Sequence, residues 1–194
     1  MRMAKNTASE ENEREWAENL VRHVGATAKA LRGKRSAKWL SDRTAELGYR
    51  IPPTVIAKLD SGHRGAVLSV PELLVLAAAL GAPPLALLLP TDPAADVEAL
   101  PGKAMPVSEF VGWFTDDTDA APDGVTRDPA ARERLALAAS LNTAAGRIHF
   151  ARDLLLRAER QGNAADVAQY RQMYEGAVDD HARIREALLT GTAR

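Results

Sequence analysis

Apolar residues recur at intervals of three and four along most of the chain, and this period predicts an all-α protein. In the first half of the chain, the pattern predicts five helices, over residues 11–32, 36–47, 52–60, 70–80 and 83–89. Residues 1–10 are polar, so we expect a disordered tail there. We therefore expect residues 11–90 to form one helical domain.

Turn signals separate the second and third of these predicted helices. Ser36 is a suitable N-cap, because its hydroxyl can accept a hydrogen bond from a free N–H group of the first turn. Gly48 can end that helix in the left-handed conformation at little cost. The next helix begins at Pro52-Pro53, where a missing N–H is harmless, and Ser61-Gly62 ends it.

The third predicted helix has two different faces. Ile56 and Leu59 form its inner face. Its outer face carries small, polar or basic residues, which suits a helix that lies in the major groove of DNA. These candidate base-contacting residues are Pro53, Thr54, Val55, Ala57 and Lys58.

Residues 91–127 are predicted to be a connector with an acidic linker. We expect a small β-hairpin with Pro101-Gly102 at its turn, followed by a short helix that starts at Ser108. Phe110, Trp113 and Phe114 crowd one side of this helix, where they either anchor it in a core or line a small-molecule pocket. Residues 116–128 are rich in aspartate and predict a flexible linker. Their spacing does not fit a calcium-binding loop.

Residues 128–194 are predicted to form a long helical hairpin. Asp128-Pro129 starts the first helix, and Gly162-Asn163 makes the turn. Both helices carry unbroken apolar stripes, in which alanines of one helix face tyrosines of the other. Because two helices alone have too little core, we expect them to pack against a partner, which is a second copy, the N-terminal domain or another protein. Of these we expect a homodimer.

Charge and composition narrow the possible functions. Residues 20–70 contain ten Lys or Arg against three Asp or Glu, a net charge of +7, whereas residues 91–194 contain twelve against seventeen, a net charge of −5. A basic module joined to an acidic remainder is typical of a DNA-binding protein with a separate partner domain. The chain contains no cysteine, no apolar run long enough to span a membrane and no signal segment, so we expect a cytoplasmic protein.

The segment Ile56–Gly62, IAKLDSG, resembles the end of the recognition helix in the XRE family of phage-repressor-like helix-turn-helix regulators. The resemblance extends from about Leu20 to Pro90 and is strongest to actinobacterial members, which share the ELG-x-x-I turn and the LAxALG helix. It implies a five-helix repressor-like domain that binds double-stranded DNA. It also implies phosphate contacts from the basic loops and the start of the second helix, namely from Lys34, Arg35, Ser36, Ala37, Lys38, Arg50, His63 and Arg64.

No catalytic constellation accompanies these features. The four histidines are scattered, and neither a metallopeptidase motif nor a phosphate-binding loop is present. We therefore expect no enzyme, no cofactor and no metal, but a transcriptional repressor, for example a phage or prophage immunity repressor. The alternatives are an antitoxin-like or adaptor protein, whose hairpin binds a protein partner, and a regulator that responds to a small-molecule effector.

Overall fold

The computed structural model describes residues 2–190, with side chains from Glu10 onward. The protein is mostly helical and contains a small two-stranded antiparallel sheet. The helices of the described range are α1 (Arg2–Arg32), α2 (Ala37–Glu46), α3 (Pro53–Asp60), α4 (Val70–Leu80), α5 (Val107–Thr115), α6 (Pro129–Gln161) and α7 (Ala164–Thr190). The strands are β1 (Asp96–Leu100) and β2 (Lys103–Pro106).

The chain forms two compact units. The first contains the residues up to Val111 together with Pro122–Gly124, and the second contains Gly112–Ala121 together with the residues from Val125 onward. Among the helices of residues 2–190, none combines the length and the apolar character needed to cross a bilayer.

Helix α1 begins much earlier than the sequence pattern predicts. The helix already starts at Arg2, whereas the sequence pattern placed its start at Glu11 and a disordered tail at residues 1–10; Met1 lies outside the described residues. Neither proline nor glycine occurs before Gly25, and most of these residues are good helix formers, so nothing in this segment stops the helix.

The core of the first unit is built by one face of each of its helices. Val24 of α1, Leu40 of α2, Ile56 and Leu59 of α3 and Leu76 of α4 are all buried in it. The predicted inner face of α3 is therefore confirmed. In α1, Val21 and Ala28 are buried beside Val24, whereas Leu31 is exposed.

The fifth predicted helix, over residues 83–89, is only a single 3-10 turn, Pro84–Leu87. The consecutive Pro83 and Pro84 lack N–H donors, and Pro90 restricts the residue before it. Leu87 is nevertheless fully buried in the core, which explains why this short segment is so apolar.

The predicted β-hairpin is confirmed. β1 and β2 pair antiparallel, with Val97 opposite Met105, and Pro101 and Gly102 make the turn. Gly102 has φ +69°, and its N–H donates to the Glu98 carboxylate at 2.7 Å. The short helix that follows is α5, in which Phe110 is buried and Phe114 is half-exposed, so these aromatic side chains do not share one environment.

The predicted helical hairpin is also confirmed within the described residues, as α6 and α7. The Asp128 carboxylate caps α6 by accepting from the Ala130 N–H at 3.1 Å, and Gly162 ends α6 with φ +70°. The fully buried positions of α6 are the alanines spaced seven residues apart, Ala144, Ala151 and Ala158. The larger residues of the stripe, such as Ile148, remain partly exposed.

Residues 116–128, predicted to be a flexible linker, contain a group of hydrogen bonds made by two arginine side chains. The Arg127 guanidinium donates to the Asp116 carboxylate and to the carbonyl oxygens of Thr118 and Ala120. Arg132 donates to the same Asp116 carboxylate at 3.0 Å. Arg127 and Arg132 therefore provide hydrogen-bond partners for this acidic segment. The sequence pattern indicated no such partners.

Candidate nucleic-acid interface

A buried hydroxyl connects α2 to the segment that leads into α3. Thr44 Oγ1 donates to the Ser41 carbonyl oxygen at 2.8 Å and accepts from the Ile51 N–H at 3.0 Å. The Tyr49 N–H donates to the Thr44 carbonyl oxygen at 3.2 Å. Gly48 has φ +88°, as expected for the end of α2. This turn is therefore held by side-chain and backbone hydrogen bonds together.

The C-terminal end of α3 is attached to α1 at two points. A Cβ atom added to Gly25 would overlap the carbonyl oxygen of Leu59 and come within 2.9 Å of its carbonyl carbon. Arg32 forms a bidentate ion pair with Asp60, with nitrogen–oxygen distances of 3.0 and 2.8 Å. Arg32 also donates to the Arg35 carbonyl oxygen at 2.7 Å. Helix α3 is thus held by its buried face and its last turn.

The outer face of α3 is open to solvent. Pro53, Thr54, Ala57 and Lys58 are exposed, as expected for candidate base-contacting residues. Val55 differs from them, because it is partly buried and packs against the core of the first unit. The exposed face therefore consists of small residues, one hydroxyl and one ammonium group.

Lys34, Lys38 and Arg50 are exposed cations on or beside α2, and all three were predicted to contact phosphate. Lys34 lies in the loop before the helix, and Lys38 and Arg50 both donate to the Asp42 carboxylate, at 2.6 and 3.1 Å. The hydrogen bond from Lys38, followed by that from Arg50, lowers the pKa of Asp42 below its usual range. Asp42 therefore holds two cations close together at the surface.

The start of α2 has the predicted cap. Ser36 Oγ accepts from the Trp39 N–H at 3.1 Å, and Ala37 begins the helix, partly buried. The Arg35 guanidinium lies 4.0 Å from the centre of the Trp39 ring and donates to the carbonyl oxygens of Arg32 and Leu31. Arg35 thus completes the end of α1 as well as facing solvent.

The two basic residues after α3 have different environments. His63 is exposed, and its N–H donates to the Lys58 carbonyl oxygen at 3.0 Å. The Arg64 side chain is only 13% exposed and is paired with Glu72 at 2.6 Å. Arg64 also donates to the Val67 carbonyl oxygen, so in this structure its guanidinium stabilises the loop before α4, and the expected phosphate contact stays a prediction.

Sequence reasoning missed four residues that position this surface, namely Gly25, Arg32, Thr44 and Asp60. The hydrogen-bonding role of Thr44 has no signal in the sequence pattern. Asp60 belongs to the IAKLDSG segment. An acidic residue at the end of this helix could have indicated a basic partner such as Arg32. Gly25 lies inside a helical pattern, which is itself a signal of close packing.

Comparison of the chain with protein-family models, with curated proteins and with solved structures found no match. Within the part of the chain that the structure describes, no three His, Asp or Glu side chains are grouped as a metal-ion site requires. Any assignment of function therefore depends on the geometry of the α2–α3 surface.

Proposed function

We propose that this chain is a sequence-specific regulator of transcription that binds double-stranded DNA through an XRE-like helix-turn-helix formed by α2 and α3. The observation that carries the proposal is the exposed face of α3. Thr54 and Lys58 lie one helical turn apart on it, while Ile56 and Leu59 bury the opposite face. A threonine methyl or hydroxyl and a lysine ammonium can contact base edges in the major groove.

The charge around α3 supports the same proposal. Lys34, Lys38, Arg50 and His63 are exposed in the predicted backbone-contacting segments, within the basic first half of the chain. Contacts of this kind supply affinity and salt dependence without sequence information. We assign Arg35 to the same group through the outer side of its guanidinium, whereas the Arg64 guanidinium is paired with Glu72.

The α6–α7 hairpin supplies the proposed partner surface. Its seam residues Tyr170, Tyr174 and Ile184 remain partly exposed although they lie on the apolar stripe. We propose that a second copy covers this stripe and that the regulator is a cytoplasmic homodimer. Two linked DNA-binding units raise the effective affinity for a two-part site without new base contacts. Repression is the simplest mode of action, because DNA occupancy alone is sufficient for it.

The same exposed stripe favours one alternative, an adaptor or antitoxin-like protein whose hairpin binds a different protein. The stoichiometry separates the two proposals. A dimer of the purified chain supports self-association, whereas a monomer that associates only with another protein supports the adaptor. We assign no catalytic role and no cofactor.

Selection from a pool of random DNA duplexes tests the proposal directly. The expected result is an enriched sequence to which the protein binds at least about a thousandfold more tightly than to random duplex, as specific regulators do. The Lys58→Ala and Thr54→Ala variants should alter the selected sequence. Failure to enrich any sequence, with weak binding to all duplexes, would contradict sequence-specific recognition.

A further inference from the structure

One carboxylate lies between two cations of the proposed DNA-binding surface. Asp42 of α2 accepts from Lys38 at 2.6 Å with one oxygen and from Arg50 at 3.1 Å with the other. The Lys38 and Arg50 side chains are 77% and 56% exposed, and the Asp42 side chain is 43% exposed. Two cations and one anion leave a single net positive charge. Asp42 therefore halves the charge that this group can offer to an anion in solution.

Hydrogen bonds that do not involve Asp42 hold the turn between α2 and α3. The buried Thr44 hydroxyl accepts from the Ile51 N–H at 3.0 Å, and this bond connects α2 directly to the segment before α3. Arg50 also donates to the Ser41 hydroxyl at 3.4 Å, so it has a second acceptor beside the turn. Ion pairs as exposed as those of Asp42 contribute little to stability. The carboxylate is therefore free to serve another purpose than folding.

We propose that Asp42 is an internal competitor of the DNA backbone, because its carboxylate occupies Lys38 and Arg50 until a phosphate group takes its place. Carboxylates and phosphates accept the same charge-assisted hydrogen bonds from ammonium and guanidinium groups, so these donors can serve either anion. The exposed ion pairs are weak, and a polyanion can displace the carboxylate from them. The identity of the polyanion as duplex DNA rests on the proposed function.

The position of Asp42 separates affinity from base reading. Contacts to phosphate are independent of sequence and hold a protein on any duplex. A carboxylate that competes for two phosphate-contacting cations lowers the affinity for every duplex alike. Thr54 and Lys58 lie on α3 and not in this ion-pair group, so discrimination between base pairs is unaffected. Asp42 thus limits how tightly random DNA holds the protein without changing the sequence that it selects.

The Asp42→Asn variant of the full-length chain tests the competition, because it removes the charge and keeps the size of the side chain. Fluorescence anisotropy with a random-sequence duplex, at several salt concentrations, should show a salt slope steeper by about 0.9 and, at 0.1 M salt, an affinity about eightfold higher, since one more phosphate is neutralised. The selected sequence should not change. Glu18→Gln is the matched control, because it removes the same charge from another ion pair between residues four apart, with Arg14 on α1, and it should leave the slope close to that of the wild type.

Elution from immobilised heparin compares the same three proteins without DNA, because its sulfate groups are anions that carry no bases. The Asp42→Asn variant should elute at a higher salt concentration than the wild type and Glu18→Gln. Coincident elution, or no retention of any of the three, would overturn the competition, as would an unchanged salt slope on duplex DNA. Weaker binding of Asp42→Asn would show that Asp42 positions the two cations, and an altered selected sequence would show that it accepts from a base edge; either result overturns the proposal. Retention on heparin with no binding of the wild type to any duplex would reject the proposed function alone, and the order of elution would still decide the role of Asp42.

Discussion

Gly25 of α1 lies directly against the backbone of Leu59 in α3, with no space for a side chain between the two helices. The missing Cβ lets the helix backbones approach more closely than any other residue would allow. This contact fixes the end of α3, two turns of helix that carry the proposed DNA-reading residues. It is therefore a point at which stability and function can be tested together.

Replacing Gly25 with alanine should destabilise the first unit. The added methyl meets backbone atoms that cannot rotate away, and overpacking of this kind costs about 1–3 kcal/mol. Urea unfolding should show this loss, and DNA binding should weaken with it if α3 shifts. Gly146→Ala on α6 is the matched control, because its Cβ meets nothing within 4 Å and alanine favours the helix by about 1 kcal/mol. Equal effects of the two substitutions would contradict the packing argument.

The ion pair between Arg32 and Asp60 should stabilise the protein far more than a surface pair does. The two side chains are 7% and 17% exposed, so Asp60→Ala leaves a buried guanidinium without its partner, at a cost of about 3–5 kcal/mol. The exposed pair of Lys38 with Asp42 provides the comparison, since Lys38→Ala should cost less than about 1 kcal/mol. The free energy of unfolding of each variant, compared with that of the wild type, tests this difference between the buried and the exposed ion pair. Similar losses would show that Arg32 finds another acceptor.

Local signals in the sequence located most of the elements. The Ser36 cap, the Pro52-Pro53 start of α3 and the Gly162-Asn163 turn are each determined by the chemistry of one or two residues. The β-hairpin followed in the same way from its Pro101-Gly102 turn. These features were predictable because their causes lie within a few residues of their effects.

The features that were not predicted have the opposite origin. The buried position of Arg64 depends on Glu72, eight residues away, and the hydrogen bonds within residues 116–128 depend on Arg127 and Arg132. Whether a basic residue faces phosphate or an acid cannot be read from spacing, because a distant partner decides it. The start of α1 was misplaced for another reason: polar composition was interpreted as disorder although helix formers dominate it.

Lys58 and Lys34 should affect DNA binding in different ways. Lys58 lies on the exposed face of α3, so Lys58→Ala should cost about 1–3 kcal/mol on the selected site and relax the preference at one base pair. Lys34 lies in the loop before α2, and Lys34→Ala should weaken binding to all sequences and reduce the salt slope by about 1. Fluorescence anisotropy at several salt concentrations measures both effects. Equal loss of specific and nonspecific binding in Lys58→Ala would contradict base reading.

Glu72 should make the first unit sensitive to acid. Burial raises the pKa of Glu72, but hydrogen bonds from the Ser69 N–H and from Arg64 outweigh it, so the pKa lies below the ordinary value of 4.5. A carboxyl group whose pKa is lowered by folding stabilises the folded state above its unfolded pKa, and this stabilisation is lost as the pH falls through the folded pKa.

Glu72→Gln separates the charge from the cap, because glutamine at this position can still accept from the Ser69 N–H. The wild type should lose more stability than the Glu72→Gln variant when the pH falls below 4.5, the ordinary value of the group. Urea unfolding at a series of pH values compares the two slopes. Parallel slopes would show that other carboxyl groups account for the acid sensitivity.

The hairpin stripe should control self-association. Ile184 is partly buried on the inner face of α7, and Ile184→Asp places a charge without a partner in the seam, which is costly once a second copy covers it. Light scattering should show a dimer for the wild type and a monomer for the variant, with weaker binding to the selected DNA site and an unchanged fold of the first unit. Gln172→Asp adds the same charge at an exposed position of α7 and should remain dimeric. A wild-type monomer that binds its site as a single copy would contradict the dimer, and the apolar stripe would then require a different protein to cover it.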